Sequence, residues 1–395
     1  MSSPAHHIVM TFPDSLGAPG GGSIGCLSIA RALHGLGIDI TLIPVAEPGE
    51  RQLDDLSITV HPSTPSGVHY LLDGLGTLNK VRSTCATHAT TAVLSWSHEG
   101  AFLPGFLRSR GISFGMIAAF PDYRVLESRR TGSRWAKGLA DYWFRRRPLR
   151  RADVVFALST FTARQLTEIM GVAPGRVQRT YWGVPPQFLE IPRRRRPTVS
   201  RFVFFGAFTE GKGVTDLLRA LAQVRQLGGA SWELRLAGWG DEDSLRLAAS
   251  ELGIIGQVKF LGRLNHQELC PVLEWADLAI LPSRAESFGL SIAEAQAAGL
   301  PVISCKTGAV PEIVDDGSTG WLVETGDTEA LASAVLAAMS EPELAFRMGM
   351  AGRERIATKF TWETTARQMM DGLLRQTSQN RAQGQELDGP GIPPG

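Results

Sequence analysis

Two glutamates eight residues apart, Glu286 and Glu294, lie in the stretch LAILPSRAESFGLSIAEAQAAGLP at residues 278–301. Its first four residues read as a buried strand, Pro282 and Ser283 as a turn, and the rest as a helix that stops before Gly299 and Pro301. Glu286 falls in the turn and Glu294 inside the helix. At about 100° per residue, eight residues return a side chain to within roughly 80° of its starting direction. Both carboxylates can then look toward one side, at the C-terminal end of a strand and beside a helix N-terminus. Open α/β sheets place ligands there, and the N–H groups of the helix start attract phosphate. Carboxylates beside a phosphate-friendly turn suit the hydroxyls and diphosphate of a nucleotide sugar.

Further residues share this chemistry. Lys212 stands in the glycine loop GAFTEGKG between a strand and a helix, where a cation and helix-start N–H groups suit a diphosphate. Ser287, Phe288, Gly289 and Leu290 form a second anion-friendly turn. Glu294 is placed to accept from ribose hydroxyls, and Glu286 from a sugar beyond the phosphates. His98 follows the strand TAVLSW and sits on the ligand-binding side of its sheet. Near the N-terminus, the loop Gly17 to Gly25 includes Gly21, Gly22 and Ser23. It does not follow GxGxxG, and no acidic residue ends the next strand. It reads as a loop whose backbone approaches a sugar or phosphate, or as a tight turn needing positive φ.

The elements that must position these residues alternate strand and helix twice. The first half offers strands at 7–12, 38–44, 57–60, 91–96, 111–120, 153–159 and near 177–184, with helices at 26–37, 67–85 and 160–170. The second half restarts at 201–205 and continues with strands near 232–237, 258–261, 278–281, 301–304 and 321–323. This grammar is α/β, with two doubly wound domains and a cleft between them. The arginine run in EIPRRRRPTVS reads as a linker with a boundary near residue 195. Residues 124–151 interleave arginines with Trp135, Trp143 and Phe144. They suit an interfacial helix on anionic lipid, a patch for a phosphorylated acceptor, or a helix burying its aromatic stripe. The Gly/Pro/Gln-rich end reads as a disordered tail.

Composition narrows the class. The 395 residues exceed one ordinary core, and 43% apolar with 20% charged residues is a soluble globular balance. A net charge of +1 implies no wholesale attraction to nucleic acid. Four scattered cysteines without a CxxC pair suggest a reducing compartment and no structural zinc. No apolar run reaches the ~20 residues of a membrane span, and the N-terminus has no signal-peptide core. The expected location is cytoplasmic, with peripheral contact at the inner membrane face through 124–151.

The run LPSRAESFGLSIAEAQAAGLPVISCKTGAVPEIVDDGSTGWLV resembles the donor-site signature of the large retaining glycosyltransferase family with a GT-B fold, glycosyltransferase family four, also called glycosyl transferases group 1. FFGAFTEGKGVTDLLRA, ELRLAGWGDED and VKFLGRLNHQEL match its second domain in order. RADVVFALSTFTARQL, YWGV and the GGS loop match its first. The resemblance implies two Rossmann-like domains facing across a cleft. Residues 1–192 would bind the acceptor and 197–360 the nucleotide sugar. Residues 361–376 would pack back on the first domain, and 377–395 would form the tail.

By position, Gly206 closes the first strand of the donor domain, and Lys212 would contact the diphosphate. Leu264, beside Arg263, would lie against the base. Glu286 would contact the transferred sugar. Phe288, Gly289 and Leu290 would offer backbone N–H groups, and Glu294 would bind ribose. Gly22 and Ser23, next to Gly21, would face the phosphate from the other domain. Such enzymes use no metal or cofactor, since helix N-termini and basic residues stabilise the departing diphosphate. Their partners are a nucleotide sugar, UDP- or GDP-linked, and a hydroxyl acceptor of a glycan, glycolipid or natural product.

Three positions depart from the family. Ala207 follows Gly206 where an arginine is usual, which leaves Arg284 or Arg263 to supply the second phosphate cation. Phe120–Pro121–Asp122–Tyr123 lacks the usual histidine, a role open to His98. Trp182–Gly183–Val184–Pro185 replaces Asn-Gly-Val-Asp, a structurally neutral change. The expected activity is hexosyl transfer. A nucleotide-sugar 2-epimerase and a catalytically weak partner subunit are the rival readings.

Overall fold

The computed structural model describes residues 6–13, 21–45, 57–58, 69–96, 98–119, 142–228 and 231–387. The chain divides into two compact units, Met1–Tyr181 with Trp362–Gly395, and Trp182–Thr361.

The first unit carries β1 (His7–Phe12), α1 (Gly21–Gly35), β2 (Asp39–Pro44), β3 (Ser57–Ile58), α2 (His69–Thr87), β4 (Thr90–Ser95), α3 (Leu103–Arg108), β5 (Ser113–Ala118), α4 (Arg147–Arg151), β6 (Val154–Ala157), α5 (Thr160–Glu168) and β7 (Val177–Arg179). Its sheet runs β3-β2-β1-β4-β5-β6-β7 with parallel pairings throughout. β1, β5 and β6 are buried along their length. Strands covered on both faces need such continuous apolar runs.

The second unit carries β8 (Arg201–Phe208), α6 (Val214–Gln226), β9 (Glu233–Gly240), α7 (Glu242–Glu251), β10 (Val258–Gly262), α8 (His266–Trp275), β11 (Leu278–Leu281), α9 (Leu290–Ala297), β12 (Val302–Cys305), α10 (Val310–Ile313), β13 (Gly320–Val323), α11 (Thr328–Ser340) and α12 (Pro342–Lys359). Its sheet order is β10-β9-β8-β11-β12-β13, again parallel. Each unit thus repeats the doubly wound order in which the chain reverses direction across the sheet between its first and fourth strands.

The domain edges differ from the sequence expectation. The boundary falls at Trp182, not near residue 195, so 182–192 belongs to the second unit. Val184 N–H donates to Phe360 O at 2.9 Å, and Phe188 is fully buried with its ring 5.2 Å from that of His266. Two arginines of the expected linker, Arg193 and Arg196, act as fasteners. Arg193 Nη1 donates to the carbonyls of Leu273 and Ala276 at 3.0 Å each, where the last turn of α8 leaves carbonyls without helical partners. Burial pulls the Arg193 guanidinium pKa down to about 10 against the opposing charge of Asp277. Arg196 pairs with Asp277 at 3.1 Å.

The final helix, α13 (Trp362–Leu387), belongs to the first unit. Its Gly372 lies against Phe156, and Leu373 packs over Gly115. It continues through 377–387, so the tail expected from 377 is helical to Leu387; low apolar content did not stop a helix already anchored by its first turns. Residues 388–395 lie outside the described residues.

Candidate functional site

The reversal in the second sheet lies between β8 and β11. The loops leaving these two strands carry Lys212 and Glu286. β8 passes into a short turn, Glu210–Lys212, and Gly213 then starts α6 at φ 68°. A Cβ on Gly213 would stand 2.1 Å from Pro282 O, so the two loops meet backbone to backbone there. Lys212 Nζ lies 2.5 Å from Glu286 Oε1. The carboxylate side chain is 8% exposed and the lysine 30%.

The loop after β12 backs Glu286. Ala309 N–H donates to Glu286 O at 3.1 Å. A Cβ on Gly308, whose φ is 52°, would stand 2.1 Å from that same oxygen.

Arg284, one of the two cations expected to reach the phosphates, is committed elsewhere. Its Nε donates to Asp216 Oδ2 at 3.0 Å and its Nη2 to both Asp216 oxygens, at 3.1 and 2.8 Å. Asp216 is buried in the first turn of α6. Its hydrogen bonds and charge hold the guanidinium pKa above the usual arginine value. A planar fork that meets a buried carboxylate through two nitrogens has little left to offer a phosphate.

Glu294 sits in α9, a helix buried on nearly every side. The helix opens on Gly289 at φ 98° with no side-chain cap. It closes in a Schellman turn, with Gly299 N–H donating to Gln296 O at 2.8 Å and Leu300 N–H to Ala295 O at 3.0 Å. Arg353 of α12 bonds the carbonyls of Ala297 and Ala298 at 3.0 and 2.8 Å. Glu294 is 5% exposed, and its Oε1 is buried without a hydrogen bond. His266 Nε2 lies 3.3 Å from that oxygen, outside hydrogen-bond alignment. Such an acceptor, short of donors, suits hydroxyl recognition.

The neighbouring turn divides its labour. Phe288 is buried, its ring 6.4 Å from that of Trp182 and 5.8 Å from that of Phe360. Its side chain is core, which leaves backbone as what the turn can offer. Ser287 is half-buried and Leu290 opens α9.

Gly206 closes the apolar part of β8 at φ 145°, and a Cβ on Gly238 of β9 would stand 1.9 Å from Gly206 O. Two glycines thereby bring neighbouring strands together beneath the site. Beyond β10, Arg263 is exposed and Leu264 half-buried. Arg263 Cζ lies 5.9 Å from the ring centroid of the exposed Trp239.

In the first unit, Gly21, Gly22 and Ser23 form the opening turn of α1, not a loop. Gly22 lets the Phe12 ring come within 3.7 Å of its Cβ position, and Ser23 is buried. Residues 17–20, the start of the expected loop, lie outside the described residues. His98 falls in a short turn, His98–Gly100, after β4 and at the sheet's reversal; its side chain lies outside the described residues. The adjacent Glu99 is fully buried, and its Oε1 accepts from Trp96 N–H at 2.7 Å, Ser95 Oγ at 2.8 Å and Thr11 Oγ1 at 3.2 Å. Residues 120–141, including Phe120–Tyr123 and most of the basic segment, are also outside the described residues. The described chain resumes in a π-helical turn, Tyr142–Arg146, with Tyr142 and Trp143 exposed and Arg147 Cζ 4.3 Å from the Trp143 ring centroid.

Sequence reading gives no role to Asp216, His266 or Glu99. Asp216 left a trace, an acid in the first turn of a helix that opens on a left-handed glycine. His266 left none, because only the tertiary fold brings it to Glu294.

Residues 191–355 match the family described as glycosyl transferases group 1, and residues 20–183 match the glycosyl transferase 4-like domain. A glycogen synthase of Mycobacterium tuberculosis is 31% identical over 220 residues, 55% of this chain and 53% of that protein. A D-inositol 3-phosphate glycosyltransferase of a Nocardioides species is 32% identical over 257 residues, 58% of this chain and 55% of that one. The chain thus spans about half the length of the curated relatives it matches. Among solved structures, sucrose-phosphate synthase from Thermosynechococcus elongatus aligns with a TM-score of 0.77 at 21% identity, covering 95% of this chain and 99% of that one. Anabaena HepE, solved with UDP and glucose, aligns with a TM-score of 0.72 at 20% identity, covering 94% and 100%. With both family matches in chain order and two Rossmann-like units beneath them, the chain belongs to the GT-B-fold glycosyl transferases of group 1.

Proposed function

We propose that this protein is a retaining, metal-independent hexosyltransferase. It moves a sugar from a UDP- or GDP-linked donor to a hydroxyl of a glycan, glycolipid or natural-product acceptor. The second unit takes the donor and the first the acceptor. The contact between Lys212 and Glu286 at the sheet reversal carries the reading. It joins the cation a diphosphate needs to the carboxylate a sugar hydroxyl needs. Two helix starts without side-chain caps, those of α6 and α9, stand at the same two loops.

When the bond from sugar to diphosphate breaks, negative charge grows on the leaving oxygen. Lys212 and the N–H groups opening α6 and α9 stabilise that charge without reorganising. The acceptor hydroxyl attacks from the face the diphosphate leaves, and its proton passes to the departing phosphate. Glu286 orients the transferred sugar and Glu294 the ribose. His98 serves the sugar in place of the family's usual histidine. Relatives named for glycogen synthesis, mannosyl transfer and inositol phosphate glycosylation support a hexosyl reaction. Solved structures of HepE with UDP and UDP-glucose support a uridine donor.

The enzyme works in the cytoplasm, with segment 124–151 meeting the inner membrane face; co-sedimentation with anionic vesicles tests that contact. Among the described residues, no helix is long and apolar enough to cross a membrane.

A thermal-shift screen of UDP, GDP, dTDP and ADP sugars tests the donor site. A ligand at a hundred times its Kd adds about 2.7 kcal/mol of stability. Product analysis with and without acceptor follows. A screen with no stabilising nucleotide sinks the reading, and free nucleotide with an isomerised sugar and no acceptor requirement replaces it with the epimerase.

A further inference from the structure

Arg284 stands two residues before Glu286, yet its guanidinium bonds the buried Asp216. Four contacts define where it goes. Its backbone N–H donates to Gly211 O at 2.8 Å, inside the turn that holds Lys212. Its side chain grips the buried Asp216 in the first turn of α6 through both Nε and Nη2. Its Nη1 reaches Glu210 at 3.5 Å. Its carbonyl accepts from Thr307 Oγ1 at 3.1 Å, in the loop after β12. One residue therefore laces the loops leaving β8, β11 and β12, the three that surround the contact between Lys212 and Glu286.

The backbone contacts repeat the pattern. Gly213 meets Pro282 O, and Gly308 meets Glu286 O, each with room for no Cβ. Lys212 is the last residue of its turn, and a lysine side chain holds many rotamers. Its ammonium is directed by where its backbone stands relative to the loop of Glu286. A rigid fork fixes that spacing more narrowly than a single point charge can.

We propose that Arg284 and Asp216 are positioning residues, a clamp that sets the separation of Lys212 from Glu286 and so aims the lysine at the β-phosphate of the nucleotide. The clamp rests on the donor-site reading above. Arg284 contacts no substrate. It replaces the absent phosphate arginine at Ala207 only indirectly, by making one cation serve accurately.

The test is calorimetric titration of the full chain with UDP, UMP, GDP and GMP, in wild type, Arg284→Lys, Asp216→Asn, Lys212→Ala and Arg284→Lys/Lys212→Ala. Thermal melts accompany each, to identify variants that fail to fold. The wild type is expected to bind the diphosphate of its preferred base about tenfold or more tightly than the monophosphate, the scale of one charge-assisted contact. Arg284→Lys should erode that ratio at least about threefold while leaving the monophosphate affinity unchanged. On the Lys212→Ala background the same change should have no further effect on the ratio. A purely structural role would weaken both nucleotides together, and that result overturns the clamp. So does a full ratio in Arg284→Lys, or an equal further loss on the Lys212→Ala background. If Arg284→Lys does not fold, Asp216→Asn, which keeps the shape and removes the charge, decides by the same ratios. A wild type that binds no nucleotide at all overturns the donor-site reading itself, and the clamp with it.

Discussion

Lys212 Nζ and Glu286 Oε1 lie 2.5 Å apart, so the lysine assigned to the donor's diphosphate already faces a carboxylate of its own chain. A hydrogen bond between charged groups is worth about 1.5–3 kcal/mol. On the proposed reading, Glu286 competes with the donor phosphates for Lys212. Glu286→Gln keeps the shape and removes the competition. UDP or GDP should bind a few-fold more tightly to this variant, while transfer falls about 100-fold or more for loss of a charged transition-state contact. Calorimetry beside initial rates checks both halves. Weaker nucleotide binding would contradict the competition.

Glu294 offers a different signature, because ribose hydroxyls and not the sugar are its assigned ligand. Glu294→Ala should lower donor kcat/KM by about 10- to 100-fold. The wild type should prefer UDP to its 2′,3′-dideoxy counterpart, and the variant should bind the two alike. A variant that still discriminates would show that the hydroxyls are read elsewhere.

Gly213 tests whether the loops must meet backbone to backbone. Alanine there would combine a φ of 68° with a Cβ 2.1 Å from Pro282 O. The left-handed backbone alone costs about 1 kcal/mol, and relief of the clash must part the two loops. Gly213→Ala should therefore lower both the melting temperature and the preference for diphosphate over monophosphate. Gly228→Ala carries a φ of 77° with nothing within 4 Å and should lower only stability. Equal nucleotide preferences in the two variants would separate the loop contact from function.

Arg353 closes α9 from outside the site. It donates to the carbonyls of Ala297, Ala298 and Ile191, and burial lowers its pKa below the usual arginine value. Arg353→Ala leaves those carbonyls without their donor, at a cost of about 2–4 kcal/mol. Arg353→Lys should recover less than half of that, since one ammonium cannot span the same fan of acceptors. Denaturant unfolding followed by tryptophan fluorescence reads both, and full rescue by lysine would reduce the contact to simple charge.

The first unit has a pH dependence of its own. His7 is buried, its ring nitrogens bonded to Thr90 Oγ1 at 3.0 Å and Thr41 Oγ1 at 2.9 Å. Its pKa is lowered by burial first and by neighbouring His88 next, against Asp39. A lowered folded pKa means that the unfolded chain takes up a proton first as pH falls. Stability is then lost from about the ordinary histidine value of 6.5 downward, until the folded pKa is reached. Urea unfolding at pH 7.5 and 5.5 should show a larger acid loss in the wild type than in His7→Gln. Equal losses would remove His7 as the source.

Much of the second unit is legible before folding is known. Leu278 to Leu281 is strand and the helix stops before Gly299, as expected, but it starts only at Leu290, after the left-handed Gly289, rather than soon after Ser283. Local chemistry decides these: apolar runs demand burial, and left-handed turns demand glycine. Gly21, Gly22 and Ser23 read as loop because glycine is a poor helix former. The structure makes them the first turn of α1, with Ser23 buried and the Phe12 ring beside Gly22.

The sequence by itself determined the alternation of strand and helix, the two doubly wound units and the residue types at the candidate site, all of which follow from spacing within a few turns of chain. Only the tertiary structure decided their pairing. It gave Arg284 to Asp216, 68 residues away, and it set Lys212 on Glu286, 74 residues away. It also brought His266 to Glu294 and turned Arg193 and Arg196 from linker into fasteners. A buried charge takes the opposite charge or carbonyl that the fold brings within reach, and contacts across so many residues leave no periodicity to read.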